Sequence, residues 1–210
     1  MKAGMIALDD IERDALTELG NIGVAKASVA LARLVGSEVR MSVPSIEVTA
    51  RDAAALGLEA AFSERLVAVS EAFDGTLAGA ALLVFPESNS LELVRAVLPA
   101  DVDPAHAAEL EGEALTEVGN IVLNNWLAVV ANMLDARLTT ALPEVLRGDG
   151  AAIFAGCGAQ GGGEAPTIVF TIRFLVHEKN IAGQIFIAMD ASSEAALRDR
   201  IARYVNKIAG

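Results

Sequence analysis

The stretch Leu16-Thr17-Glu18-Leu19-Gly20-Asn21-Ile22 returns 99 positions later as Leu115-Thr116-Glu117-Val118-Gly119-Asn120-Ile121. A carboxylate and a carboxamide repeated at one spacing suggest two copies of a single site on a duplicated scaffold. The same offset pairs Glu12 with Glu111, Ala15 with Ala114, Ala32 with Ala131 and Pro44 with Pro143, and it sets Val35, Val39 and Ile46 against Leu134, Leu138 and Val145. A second echo, Leu77-Ala78-Gly79 against Ile181-Ala182-Gly183, falls at offset 104, as a loop insertion in the second half would produce.

Helical periodicity surrounds both copies. From Leu8 to Val35 apolar residues at Ile11, Ala15, Leu19 and Ile22 alternate with a polar stripe of Asp14, Glu18 and Asn21, which predicts one long amphipathic helix closed by Gly36. A matching helix is expected from Ala107 to Leu134, with the stripe Glu113, Glu117 and Asn120. Spacings of four and three residues place each triplet on one helix face. Gly20 and Gly119 sit beside the stripes, where glycine costs about 1 kcal/mol relative to alanine. Close approach of another surface or tight packing of the two helices on each other would explain them equally.

The remaining elements follow the same order twice. Val39 to Thr49 reads as a strand bent by Pro44. Leu66 to Phe73 and Leu77 to Phe85 read as a hairpin turning at Asp74-Gly75, and Ser88 or Ser90 is placed to cap a short helix to Val97. The second half gives a strand from Leu138 to Leu146 with Pro143, a hairpin of Thr167 to Val176 with Ile181 to Met189, and a helix from Ala191 to Ile208. Gly156 to Gly163 lacks the Lys-Ser/Thr of a phosphate loop and reads as a floppy hairpin loop. Ala100 to Asp103, bracketed by Pro99 and Pro104, reads as the linker. The chain is therefore read as a single domain, 1–210, made of two repeats, 8–98 and 105–208.

Composition narrows the chemistry. Sixteen basic against 28 acidic side chains give a net charge of −12, which argues against nucleic acid and anionic membranes as partners. Cys157 is alone, so no intrachain disulfide can form. His106 and His177 lack companions for a metal site, and no serine lies in a nucleophile elbow. No export signal is apparent at Met1 to Asp10, and the longest apolar runs are far shorter than the roughly 20 residues that span a bilayer. A cytoplasmic protein is expected. Trp126 reads as core or inter-helix packing.

A carboxamide is neither acid nor base, but it can hold a water by donating and accepting one hydrogen bond each, as a glutamine does in some nucleotide hydrolases. A solvated Glu/Asn face is the plain alternative, and the residues alone leave both open.

Asp14-x3-Glu18-x2-Asn21 and Glu113-x3-Glu117-x2-Asn120 resemble the motif of the CheC/CheX/FliY phosphatase family of bacterial and archaeal chemotaxis. The likeness extends to Val43-Pro44, Gly79 with Leu82-Leu83-Val84-Phe85-Pro86, and Leu142-Pro143. It implies an α/β (α+β), internally duplicated fold, with two long antiparallel helices packed across a β-sheet under pseudo-two-fold symmetry. It implies a phosphatase acting on the aspartyl phosphate of a CheY-like response regulator. Glu18 and Glu117 would contact the regulator's lysine, Asn21 and Asn120 would align the attacking water, and Asp14 and Glu113 would contact the partner. The protein would need no cofactor or metal of its own, Mg²⁺ arriving on the regulator. The receptor deamidase CheD is a further partner within the family, and a monomer is expected. Glu113 stands where the family pattern has Asp or Ser, which favours the first site over the second. The rival readings are a non-catalytic adaptor for the regulator or CheD, and a flagellar-switch component.

Overall fold

The computed structural model describes residues 9–98, 109–176 and 179–209. The linker at Ala100 to Asp103, both histidines and the expected helix starts at Leu8 and Ala107 lie outside these residues. Helix α1 (Asp10–Val35) opens on a capping box in which the Glu12 N–H donates to Asp9 Oδ1 at 2.8 Å and the Asp9 N–H to Glu12 Oε2 at 3.0 Å. It ends at Gly36, whose φ of 69° is the left-handed conformation a helix stop favours.

Strand β1 (Val39–Ala50) is an edge strand, and its pairing with β6 (Pro166–Val176) slips between Ser42 and Ser45, around Pro44. Helix α2 (Arg51–Ala61) then covers a segment in which sequence reading placed nothing. The hairpin β2 (Leu66–Gly75) and β3 (Gly79–Pro86) turns at Thr76 to Ala78 instead of at Asp74-Gly75. Helix α3 (Glu87–Val97) has no side-chain cap: Ser88 Oγ donates to Glu64 at 2.8 Å and Ser90 Oγ to Glu111 at 3.0 Å, so both hydroxyls expected at the cap are used elsewhere.

Helix α4 (Glu111–Met133) leads into two short strands, β4 (Leu138–Thr140) and β5 (Glu144–Gly148), which replace the continuous strand expected over Leu138 to Leu146. Pro143, with no N–H to give a ladder, lies in the break. Helix α5 (Gly150–Gly156), capped by Asp149 on the Ala152 N–H at 2.8 Å, was also not anticipated. The Gly-rich segment therefore follows a helix instead of joining two strands, and it is pinned. The Arg51 guanidinium donates to the carbonyls of Ala159 and Gly161 at 3.1 Å, Gln160 at 3.3 Å and Met189 at 3.0 Å. Strand β7 (Lys179–Met189) completes the second hairpin with β6, and a 3-10 turn at Ala191–Ser193 precedes helix α6 (Glu194–Ala209).

The described residues thus form a mixed α/β structure with six helices and one curled, wholly antiparallel sheet of seven strands in the order β1-β6-β7-β3-β2-β4, with β5 also on β2. One sheet face, through Val69, Leu83, Phe85, Phe170 and Ile185, meets Leu19 and Leu31 of α1 and Val118 and Trp126 of α4 in the main core. The other face, through Leu66, Ala68, Leu82 and Phe186, meets Leu58 of α2 and Ile153 of α5. Burying each such side chain contributes roughly 1.5–3 kcal/mol before the entropy of ordering is counted. Helix α4 is long and apolar enough by composition to cross a bilayer, which the short apolar runs in the sequence concealed. Here its apolar face, including Leu115, Val118, Val122 and Leu123, is spent on the main core.

Candidate functional site

The polar stripes emerge where the sequence put them. On α1, Ala15, Leu16 and Leu19 turn into the core, which leaves Asp14 and Glu18 exposed and Asn21 half-buried at the helix shoulder. On α4, Ala114, Leu115 and Val118 do the same, leaving Glu113 and Glu117 exposed and Asn120 half-buried. Among the described residues neither Glu18 nor Glu117 has an ion-pair partner, so both carboxylates remain available to an incoming cation.

The glycines are explained by the sheet. A Cβ on Gly20 would lie 3.0 Å from the Phe170 ring, and one on Gly119 would lie 2.3 Å from Val69. Each helix is thereby lowered onto a strand one residue before its asparagine. Helix-on-helix closeness is supplied instead by Gly23, where a Cβ would come within 2.6 Å of Trp126. Trp126 is buried and packs edge-on to Phe170 at 4.6 Å.

Each asparagine turns its carbonyl oxygen toward the protein. Asn21 Oδ1 accepts from the Val43 N–H at 3.4 Å, in the irregular part of β1. Asn120 Oδ1 accepts from Asn124 Nδ2 at 2.6 Å, and Asn124 Oδ1 in turn accepts from Thr140 Oγ1 at 3.3 Å. Both sets of contacts direct the Nδ2 amino group away from them. A carbonyl oxygen with one bond keeps a second lone pair, so each carboxamide can still donate to and accept from one water.

Surroundings differ between the stripes. Tyr204 of α6 lies near Glu18, and burial together with the Glu18 charge pushes its phenol up. Beside the second stripe, Glu71 of β2 is fully buried, and burial pushes its carboxyl up while Thr140 and Asn124 oppose the shift. Sequence reading passed over Asn124, Thr140, Glu71 and Tyr204. Asn124 stands one turn after Asn120, and Glu71 is a lone charge in the strand Leu66 to Phe73, so both carried a signal. The buried thiol of Cys157 is likewise pushed up by burial, which makes it a poor nucleophile. Among the described residues no cluster of three His, Cys, Asp or Glu side chains is placed to hold a metal.

Comparison with known proteins agrees with the motif. A model of the CheC-like family matches residues 11–48, the segment that carries Asp14, Glu18 and Asn21. The CheY-P phosphatase CheC of Bacillus subtilis is 26% identical over 191 residues, covering 87% of this chain and 90% of that protein. The flagellar motor switch phosphatase FliY of the same organism is 26% identical over 141 residues, which are 66% of this chain and 36% of FliY. Among solved structures, Thermotoga maritima FliY superposes with a TM-score of 0.69 at 18% identity, covering 96% of this chain and 99% of that one. The FliM middle domain of H. pylori gives 0.63 at 10% identity, covering 92% and 99%. These two superpositions speak to the fold alone.

Proposed function

We propose, from the premise that the chain is homologous to the CheC and FliY phosphatases, that it hydrolyses the aspartyl phosphate of a CheY-like response regulator. The observation that carries this reading is the matched presentation of the two stripes: an exposed carboxylate, then a half-buried carboxamide with its oxygen tied to the protein. We also read the chain as two repeats. The element order helix, strand, helix, hairpin, helix from α1 to α3 and again from α4 to α6 supports this, allowing for the split of the second lone strand into β4 and β5.

In this reading Glu18 and Glu117 meet a lysine at the regulator's phosphorylation site, and Asp14 and Glu113 extend the contact. Asn21 or Asn120 enters beside the phosphoryl group. Its Nδ2 donates to a water and its spare Oδ1 lone pair accepts from it, which holds the water in line with the scissile P–O bond. The water attacks phosphorus, the aspartate carboxylate leaves, and inorganic phosphate departs. The regulator and its Mg²⁺ supply the charge stabilisation, while this chain supplies orientation, an effect that can reach several kcal/mol when geometry is tight.

The test is phosphate release from a phosphorylated CheY-like regulator. The wild-type chain should accelerate it, and Asn21→Ala with Asn120→Ala together should return it to the regulator's own rate while the complex still forms. A group that acts mainly in the transition state lowers turnover more than affinity. A double variant with full turnover would sink the reading, and binding without acceleration by the wild type would identify an adaptor.

A further inference from the structure

We propose that Glu71 is a positioning residue for the second stripe: by way of Asn124 it locks the Asn120 carboxamide with its amino group outward. The proposal rests on the reading of Asn120 as the water-holding group.

Along β2, Leu66 and Ala68 face α2 and α5, whereas Val67, Val69 and Phe73 face the long helices. Glu71 shares the second register, two residues beyond the Val69 on which Gly119 rests. Strand β4 sets Thr140 opposite Phe73, and the Ala141 N–H donates to the Ala72 carbonyl at 2.9 Å, which brings Thr140 beside Glu71. A carboxyl group with 0% exposure is out of reach of bulk solvent, and neither oxygen has a hydrogen bond within the protein in its present rotamer. Such a group needs polar neighbours, and Thr140 and Asn124 are the ones beside it.

Donor counting gives the arrangement. The Thr140 hydroxyl proton goes to Asn124 Oδ1, and one Asn124 amide proton goes to Asn120 Oδ1. The second Asn124 amide proton is left for the Glu71 carbonyl oxygen. Burial favours the neutral acid at Glu71, whose own O–H then needs an acceptor; with the Thr140 proton taken by Asn124 Oδ1, the Thr140 oxygen is left to accept it. In the proposed arrangement the carboxyl group turns to take both of these bonds, which matches every donor. Asn124 then cannot flip, because its oxygen and its nitrogen are both claimed, and Asn120 inherits that fixity.

The other stripe has neither the buried glutamate nor the second asparagine. Ala25 stands four residues after Asn21, where Asn124 follows Asn120. Gly20 rests on Phe170 as Gly119 rests on Val69, and two residues beyond Phe170 is Ile172, also with 0% exposure. Glu71 and Asn124 are thus both present at one stripe and both replaced by apolar residues at the other, and the same Asn124 that borders Glu71 donates to Asn120 Oδ1.

The test uses the full chain. In an Asn21→Ala background, which leaves only the second stripe, Glu71→Leu should lower turnover on a phosphorylated regulator roughly ten- to a hundredfold with KM unchanged, the scale of a misplaced catalytic group. Glu71→Gln, which keeps shape and hydrogen bonding, should retain activity within about twofold. In an Asn120→Ala background neither substitution should matter. Independently of activity, the side-chain amide protons of Asn124 and Asn120 in the free protein should shift and exchange faster in Glu71→Leu than in wild type or Glu71→Gln. Should Glu71→Leu fail to fold, Asn124→Ala serves in its place and should show the same turnover loss. Unchanged amide signals, or an equal activity loss in both backgrounds, would overturn the proposal. If even the wild type releases no phosphate, the functional reading fails, and the amide signals alone still decide whether Glu71 positions Asn120.

Discussion

The Asn124 side chain donates to Asn120 Oδ1 at 2.6 Å, whereas the matching residue after Asn21 is Ala25, which leaves Asn21 with a 3.4 Å bond from the Val43 N–H as its hold. Two motifs that are nearly identical as sequence are therefore held with different firmness.

The first prediction concerns which site dominates. Glu113 in place of a smaller residue favours the first site through crowding with Glu117. Both carboxylates are exposed, however, so their repulsion is screened and amounts to a few tenths of a kcal/mol. Pre-organisation of Asn120 outweighs that. Asn120→Ala should cost more phosphate-release activity than Asn21→Ala, and equal rates for the two single variants, or the reverse order, would count against it.

The exposed glutamates should behave differently from the asparagines. Glu18→Ala and Glu117→Ala remove solvated charges with no ion-pair partner among the described residues, so folding stability should change by less than about 0.5 kcal/mol. Affinity for the regulator should drop, and the drop should shrink as salt rises, since screening sets in beyond about 10 Å at 0.1 M. A titration at two ionic strengths checks this.

Close approach of α4 to the sheet makes Gly119 a stability position. Alanine there gains about 1 kcal/mol of helix propensity but drives its Cβ to 2.3 Å from Val69, an overpacking that costs roughly 1–3 kcal/mol. Gly119→Ala should lower the urea midpoint and Val69→Ala should partly restore it. Gly20→Ala, facing a Phe170 ring at 3.0 Å, should be milder.

Much of this was legible beforehand. The long helices and both stripes follow from a period of 3.6, whereas the β2–β3 hairpin, buried on both faces, is marked by its continuous apolar runs on either side of Asp74-Gly75. Helices α2 and α5 are hard to read from sequence because Arg51 to Ala61 and Gly150 to Gly156 are short and rich in alanine and glycine, and they pack on the second face of the sheet, which only the tertiary structure reveals. The Gly-rich segment was misread because its order comes from Arg51, more than a hundred residues away in the chain. Glu71 escaped for the same reason: only tertiary contact gives it Asn124 and Thr140.

Glu71 also makes the fold sensitive to pH. Its folded value is raised, so above the unfolded value the unfolded chain releases this proton while the folded chain keeps it. This group's contribution to stability is therefore undiminished at low pH and is lost as pH rises from the unfolded value through the raised folded one. Glu71→Gln should flatten that part of the stability profile and leave the variant relatively more stable at neutral pH. Denaturant midpoints measured from about pH 4 to 8 test the sign.

Strand order has a consequence for how the chain reaches its native state. β1 closes onto β6, more than a hundred residues later, while β4 and β5 close onto β2, so each hairpin of the sheet is completed by a strand distant from it in the chain. Neither N-terminal nor C-terminal segment can finish its sheet alone. During synthesis the β2–β3 hairpin waits with an open edge until the last third of the chain supplies β7, a topology that slows folding and leaves that edge open to pairing with other chains meanwhile.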